Sequence, residues 1–168
     1  MNIGVTIIKS RRSVRSYRKN AVPEEVLRDA LDCAALAPTA RNAQPWLFGV
    51  LKEEKTLQAI AGFADNGRFI AQAPVCIAIF GKRDEKYYLE DCSAATCQLI
   101  LGLWAHGVGS CWVAGDKKGY AEDIRKLLGV PPAYTLVSLV PAGYPVEVPT
   151  VQKKSRSEIQ FSERYAAT

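Results

Sequence analysis

Apolar positions along this chain follow two rhythms. Val26, Leu27, Ala30, Leu31, Ala34 and Ala35 recur three and four apart, which predicts an amphipathic helix. Val22-Pro23-Glu24-Glu25 opens it, with proline at its first turn and two carboxylates toward the positive end of the helix dipole, and Pro38 ends it. Residues 74–80 are instead one continuous apolar run, the pattern of a strand buried on both faces. Further strands are expected over 46–51, 108–113 and 136–144, and shorter helices over 53–63 and 120–128, the second stopped by Gly129 and Pro131. The longest helix, 87–106, is apolar on nearly every side after Ser93, so its own domain or a partner subunit has to cover it all round. Residues 2–16 predict a short helix leading into a cluster of arginines, and 39–45 a polar loop.

The rhythm fails after Pro145. Residues 146–157 are polar and proline-punctuated, yet they carry a second basic cluster, Lys153-Lys154-Ser155-Arg156, and the tail beyond holds Phe161 and Tyr165. A frayed tail and an arm exchanged with a partner subunit both fit this composition. No internal repeat or linker divides the chain, so 1–168 reads as a single domain with 145–168 as an extended arm.

Composition narrows the chemistry. With 48% hydrophobic and 23% charged residues the chain is ordinary for a globular protein, and its net charge of +5 favours anionic ligands without marking a nucleic-acid binder. The aromatics are not interleaved with the arginines, as a single-strand binding surface requires. No basic stretch followed by an apolar run opens the sequence, and the most apolar window, 94–105, is far short of a membrane span and contains Gln98. Cys33, Cys76, Cys92, Cys97 and Cys111 form no C-x-x-C and read as reduced thiols of a cytoplasmic protein, most of them buried.

The apparatus of side-chain catalysis is sparse. The single histidine, His106, precedes Gly107 at a helix end, where an imidazole meets free carbonyls. Ser110 lacks the Gly-x-Ser-x-Gly context of a nucleophile, Gly107-Val108-Gly109 leads from helix to strand rather than strand to helix, and no His and carboxylate cluster suits a metal. Chemistry is therefore expected from a bound cofactor. Arg11-Arg12-Ser13-Val14-Arg15-Ser16-Tyr17 packs three guanidinium forks and two serine hydroxyls into a short stretch, a donor set suited to a phosphate. Folding that joins it to Lys153-Lys154-Ser155-Arg156 would close two basic clusters on one anion.

At Ala37-Pro38-Thr39-Ala40-Arg41-Asn42-Ala43-Gln44-Pro45-Trp46 the chain resembles the nitroreductase family of flavin mononucleotide (FMN) enzymes. The family's opening Arg-[Arg/His]-Ser-x-[Arg/Lys]-x-[Phe/Tyr] is matched by residues 11–17, and its Gly-[Leu/Val]-Gly-[Ser/Thr]-Cys-Trp by 107–112. Gly143-Tyr144-Pro145 and Lys154-Ser155-Arg156 match two later motifs, so the resemblance runs in order over most of the chain.

That resemblance implies an α+β fold with a central, mainly antiparallel mixed sheet flanked by helices, in a homodimer with FMN at the interface and the C-terminal arm exchanged. It implies phosphate contacts from Arg11, Arg12, Ser13, Lys154 and Arg156, and Arg15 beside the flavin ring. Pro38, Thr39, Ala40 and Asn42 match a loop that reaches the flavin from the opposite subunit, although Asn42 also suits a plain turn. Ala114 and Gly115 match backbone positions near flavin N5, with alanine where many relatives have glutamate. The short 63–73 segment replaces a helical excursion of larger relatives, and Asn66 or Arg68 is expected to supply a ring contact from it. The implied activity is ping-pong hydride transfer from NAD(P)H through flavin N5 to a nitroaromatic or quinone, with no catalytic side chain and no metal. A reductive dehalogenase, a flavin-consuming oxidase and a non-catalytic flavin carrier or sensor are the alternatives.

Overall fold

The computed structural model describes residues 2–165; Met1 and residues 166–168 of the expected domain and arm lie outside the described residues. Asn2 caps a first helix, α1 (Ile3–Ser10), its side-chain oxygen accepting from the Val5 N–H at 3.2 Å. α2 (Glu24–Ala35), β1 (Trp46–Leu51), α3 (Glu54–Phe63), β2 (Val75–Lys82) and α4 (Tyr88–Ala105) follow. Then come β3 (Gly109–Ser110), β4 (Val113–Ala114), α5 (Ala121–Leu127), β5 (Tyr134–Gly143) and α6 (Arg156–Ile159).

The strands form one sheet in the order β1-β2-β5-β3, with β4 also on β5, and every strand pair is antiparallel. Among the described residues, the one parallel contact is an isolated bridge between Ser13 and Ser110. β2 fulfils its pattern: Val75, Ile77 and Ile79 enter a core roofed by α2 and α4, while Cys76, Ala78 and Phe80 enter a second core under α3 and α5. Both cores exclude water, which is why the run needs no polar residue. His106 ends α4, donating its N–H to the Leu103 carbonyl, and its imidazole pairs with Asp29 at 3.3 Å. Gly107 follows at φ +73°, a left-handed turn that glycine makes without cost.

Two elements depart from the pattern, and a third carries a bulge. The first helix stops at Ser10, and residues 11–16 run extended, because the Val14 N–H donates to the Ser110 carbonyl at 2.9 Å and Val146 N–H to the Ser16 carbonyl at 3.1 Å. The strand expected over 108–113 is two short pieces broken at Cys111 and Trp112. Between the pairs Ile79–Ser138 and Phe80–Leu136 the register slips by one residue, leaving Val137 as a bulge in β5.

Candidate functional site

Extended backbone decides how the arginine cluster is used. Val14 is fully buried, so its neighbours at alternate positions, Arg11, Ser13 and Arg15, share the opposite face. Their convergence is felt by the Cys111 thiol, which burial pushes up while the Arg15 and Arg11 charges and a hydrogen bond from Ser13 pull it down. Arg12 is turned away: its guanidinium donates to the Lys9 and Arg11 carbonyls, both at 2.9 Å, and caps the C-terminus of α1.

Arg15 stands between two hollows. One is a cleft of about 430 Å³ with Arg15, Asn66 and Lys118 as its polar groups and Phe69, Trp112 and Tyr120 as aromatic walls. Cys111, Val113 and Ala114 form its floor. The other, about 260 Å³, is bounded by Ser13, Arg15, Ser16, Glu147 and Pro149. The Arg15 guanidinium carbon lies 6.0 Å from the centre of the Phe69 ring, a cation–π contact that holds it at the cleft wall. Among the described residues, no ion pair occupies Arg11, Arg15 or Lys118.

The floor is set by the β5 bulge. The Val137 carbonyl accepts N–H groups from both Gly115 (2.9 Å) and Asp116 (3.2 Å), which turns the chain sharply after β4. Since the Cys111 and Gly115 amides point to β5, the period of two turns the Ala114 N–H to the cleft side. Tyr88 of α4 braces the same turn by donating its hydroxyl to Asp116 at 2.9 Å.

The other expected residues lie elsewhere. Pro38, Thr39, Ala40 and Asn42 do not border the Arg15 cleft of their own chain; Ala40 lines a separate hollow of about 150 Å³ at the start of α4. Lys154 and Arg156 are exposed on the arm, where Ser155 and Glu158 make a capping box for α6, and they line neither Arg15 hollow. Of Asn66 and Arg68, only Asn66 faces the cleft. The sequence reading missed Phe69, Lys118 and Tyr120; these stand in connecting segments with no motif, and only the fold gathers them. It also missed Asp91, whose signal was its place as a carboxylate entering an apolar helix.

An antiparallel sheet between helix layers, with a cationic cleft lined by Arg15 and Lys118, defines an α+β protein. The chain belongs to the nitroreductase family, whose profile matches residues 8–144. It is 33% identical over 147 residues to the "Putative NADH dehydrogenase/NAD(P)H nitroreductase" of Methanothermobacter thermautotrophicus, covering 84% of this chain and 77% of that protein. An FMN-dependent nitroreductase from Clostridium difficile R20291 superposes with a TM-score of 0.88 at 26% identity, covering 95% of this chain and 99% of the other. The iodotyrosine deiodinase of Thermotoga neapolitana is 29% identical over 164 residues, covering 83% of this chain and 87% of that protein. No helix among the described residues is long and apolar enough to cross a membrane.

Proposed function

We propose that this protein is an FMN-dependent oxidoreductase that uses NAD(P)H to reduce a small planar acceptor, a quinone or nitroaromatic. The observation that carries this reading is the single face formed by Arg11, Ser13 and Arg15, with Arg15 shared by the cleft and the adjoining hollow. The donor set fits FMN: aromatic and apolar walls suit a flat ring, and cations without ion-pair partners among the described residues suit a phosphate. When bound, FMN supplies the two-electron chemistry that these side chains lack.

The chain's own residues bind and bias. Arg11 and Ser13 would hold the phosphate, and Lys154 and Arg156, which line neither hollow of their own chain, would join them from the arm of a second copy, while the Arg12 guanidinium fixes the end of α1 that presents them. Arg15, at the cleft wall beside Phe69, would set a positive charge near a bound ring and so favour added negative charge on it by electrostatic preorganisation. Ala114 offers its backbone N–H there, a role that needs no glutamate side chain. Phe69, Trp112 and Tyr120 shield the ring from water. Pro38, Thr39, Ala40 and Asn42, remote from the cleft of their own chain, serve the cleft of a second copy in a homodimer.

A yellow preparation that releases FMN on denaturation and oxidises NAD(P)H steadily with a quinone supports this function. Failure to bind added FMN overturns it. The likeness to an iodotyrosine deiodinase favours reductive dehalogenation as the second reading, and iodide release from iodotyrosine under reducing conditions, with no quinone turnover, would establish that one instead.

A further inference from the structure

We propose that Asp91 is a positioning residue, whose buried carboxylate locks loop 39–44 into the backbone conformation that meets FMN. The inference rests on the reading of that loop as part of the cofactor site.

The loop is strained. Arg41, Asn42 and Gln44 have φ values of +55°, +58° and +47°, left-handed geometry that costs any residue with a side chain, though asparagine least. Such a conformation persists only when its surroundings over-determine it. Burial does not do so here, because Arg41, Asn42 and Gln44 are exposed. Hydrogen bonds do. The Thr39 hydroxyl accepts the Gln44 N–H at 3.0 Å, closing the loop on itself, and donates to an Asp91 carboxylate oxygen at 2.7 Å. The Ala40 N–H reaches both oxygens of the same carboxylate, at 3.1 and 3.2 Å.

Asp91 is only 7% exposed, and among the described residues no cation forms an ion pair with it. A buried carboxylate without a counterion is tolerated only where donors converge on it, and here the donors are the loop's hydroxyl and amide, assisted by the positive end of α4. The dependence is mutual: the loop satisfies the charge, and the charge fixes the loop. Tyr88, one helical turn earlier, braces the Ala114–Asp116 turn, so the opening of α4 anchors both backbone segments assigned to FMN.

The test titrates apo-protein with FMN, reading quenching of FMN fluorescence and the visible spectrum of the bound ring. Amide exchange at Ala40 and Gln44 is measured alongside. In Asp91→Ala the Kd should rise about tenfold or more, with the bound spectrum moving toward that of free FMN. The two loop amides should exchange faster while β2 and β5 keep their protection. Asp91→Asn, gentler to folding, should fall between Ala and wild type, because it still accepts from the Ala40 N–H. Thr39→Val, which removes the hydroxyl between Asp91 and Gln44, should speed exchange of the Gln44 amide, and Thr39→Ser should restore its protection. Wild-type Kd, spectrum and loop exchange in both Asp91→Asn and Asp91→Ala overturn this inference alone. A wild-type protein that binds no FMN overturns the proposed function and this inference with it.

Discussion

The Thr96 hydroxyl of α4 meets the Ser138 hydroxyl of β5 at 2.8 Å, and both residues are fully buried. Thr96 spends its own proton on the Cys92 carbonyl at 2.7 Å, so Ser138 is the donor between the two. Ser138 faces α4 in step with Val140 and Ala142, and the Val137 bulge beside it, which sends Leu136 to the opposite core, also holds the turn beneath the cleft. Thr96→Val keeps the shape and strands the Ser138 hydroxyl, a loss of about 1–3 kcal/mol. Ser138→Ala leaves Thr96 with its carbonyl partner and should cost less. Urea unfolding midpoints of the two single variants and the double variant check this order; a larger loss for Ser138→Ala would refute it.

Gly109 lets the arginine strip lie against the sheet. A Cβ there would stand 2.7 Å from Val14 Cγ2 and 2.9 Å from Pro145 Cγ, and Val14, fully buried, has nowhere to yield. Gly109→Ala should therefore cost about 1–3 kcal/mol and weaken FMN binding by displacing Ser13 and Arg15. Gly62, inside α3 with nothing within 4 Å of its would-be Cβ, is the contrast. Gly62→Ala should stabilise by about 0.5–1 kcal/mol and leave FMN binding alone. Thermal melts with FMN titrations separate the two outcomes.

Alkaline pH should unlock the core. Burial pushes the Cys76 and Cys92 thiols from an ordinary 9.0 up to about 12, and burial likewise raises the Tyr17 hydroxyl. Above pH 9 the unfolded chain sheds these protons while the folded chain keeps them, so the stability contributed by the neutral thiols is intact below pH 9 and drains as pH climbs toward 12. Each thiol accounts for a loss of roughly 1 kcal/mol by pH 10. Urea midpoints should be flat from pH 7 to 8.5 and fall beyond; a midpoint that holds through pH 10.5 contradicts the assignment.

What the sequence disclosed and what it withheld follow one physical line. The two-sided burial of β2 is a local pattern and reads directly from residues 74–80. The donors at 11–15 were legible as chemistry, but their grouping was not. Whether they continue a helix or run extended is decided by the bond from Val14 to Ser110, a pairing no window around residue 14 contains. That bond separates Arg12 from Arg11, Ser13 and Arg15. The Val137 bulge and the Asp91 anchor are likewise products of tertiary register, invisible to propensity. Loop 39–44 was recognised by its residues, while its left-handed backbone was not, since of the three strained positions only Asn42 is a residue that favours such geometry.

The alternation of the strip predicts unequal arginines. Arg11→Ala should weaken FMN binding by about 1.5–3 kcal/mol through loss of a charge-assisted phosphate contact, and Arg156→Ala should do the same from the arm. Arg12→Ala removes a helix cap instead, lowering the melting temperature with a smaller change in Kd. Fluorescence titration alongside thermal melts reads both quantities. Equal losses of affinity in Arg11→Ala and Arg12→Ala would show that the strip turns over when FMN binds.

Arg15 carries the electronic consequence. Its guanidinium sits at the wall of the cleft beside Phe69, with no ion-pair partner among the described residues, so its charge is available to whatever negative charge develops on a bound ring. Arg15→Leu keeps a side chain against Phe69 and deletes the charge. If a charge-assisted bond of about 1.5–3 kcal/mol favours the reduced over the oxidised ring, the two-electron potential of the bound flavin should fall by roughly 30–60 mV. Arg15→Lys, a point charge without the planar fork, should recover part of that drop. Equilibration against redox dyes of known potential measures it on the flavin-loaded protein, independent of which acceptor is used. A potential unchanged in Arg15→Leu would reduce Arg15 to a packing residue and leave the ring's electronics to the backbone at Ala114.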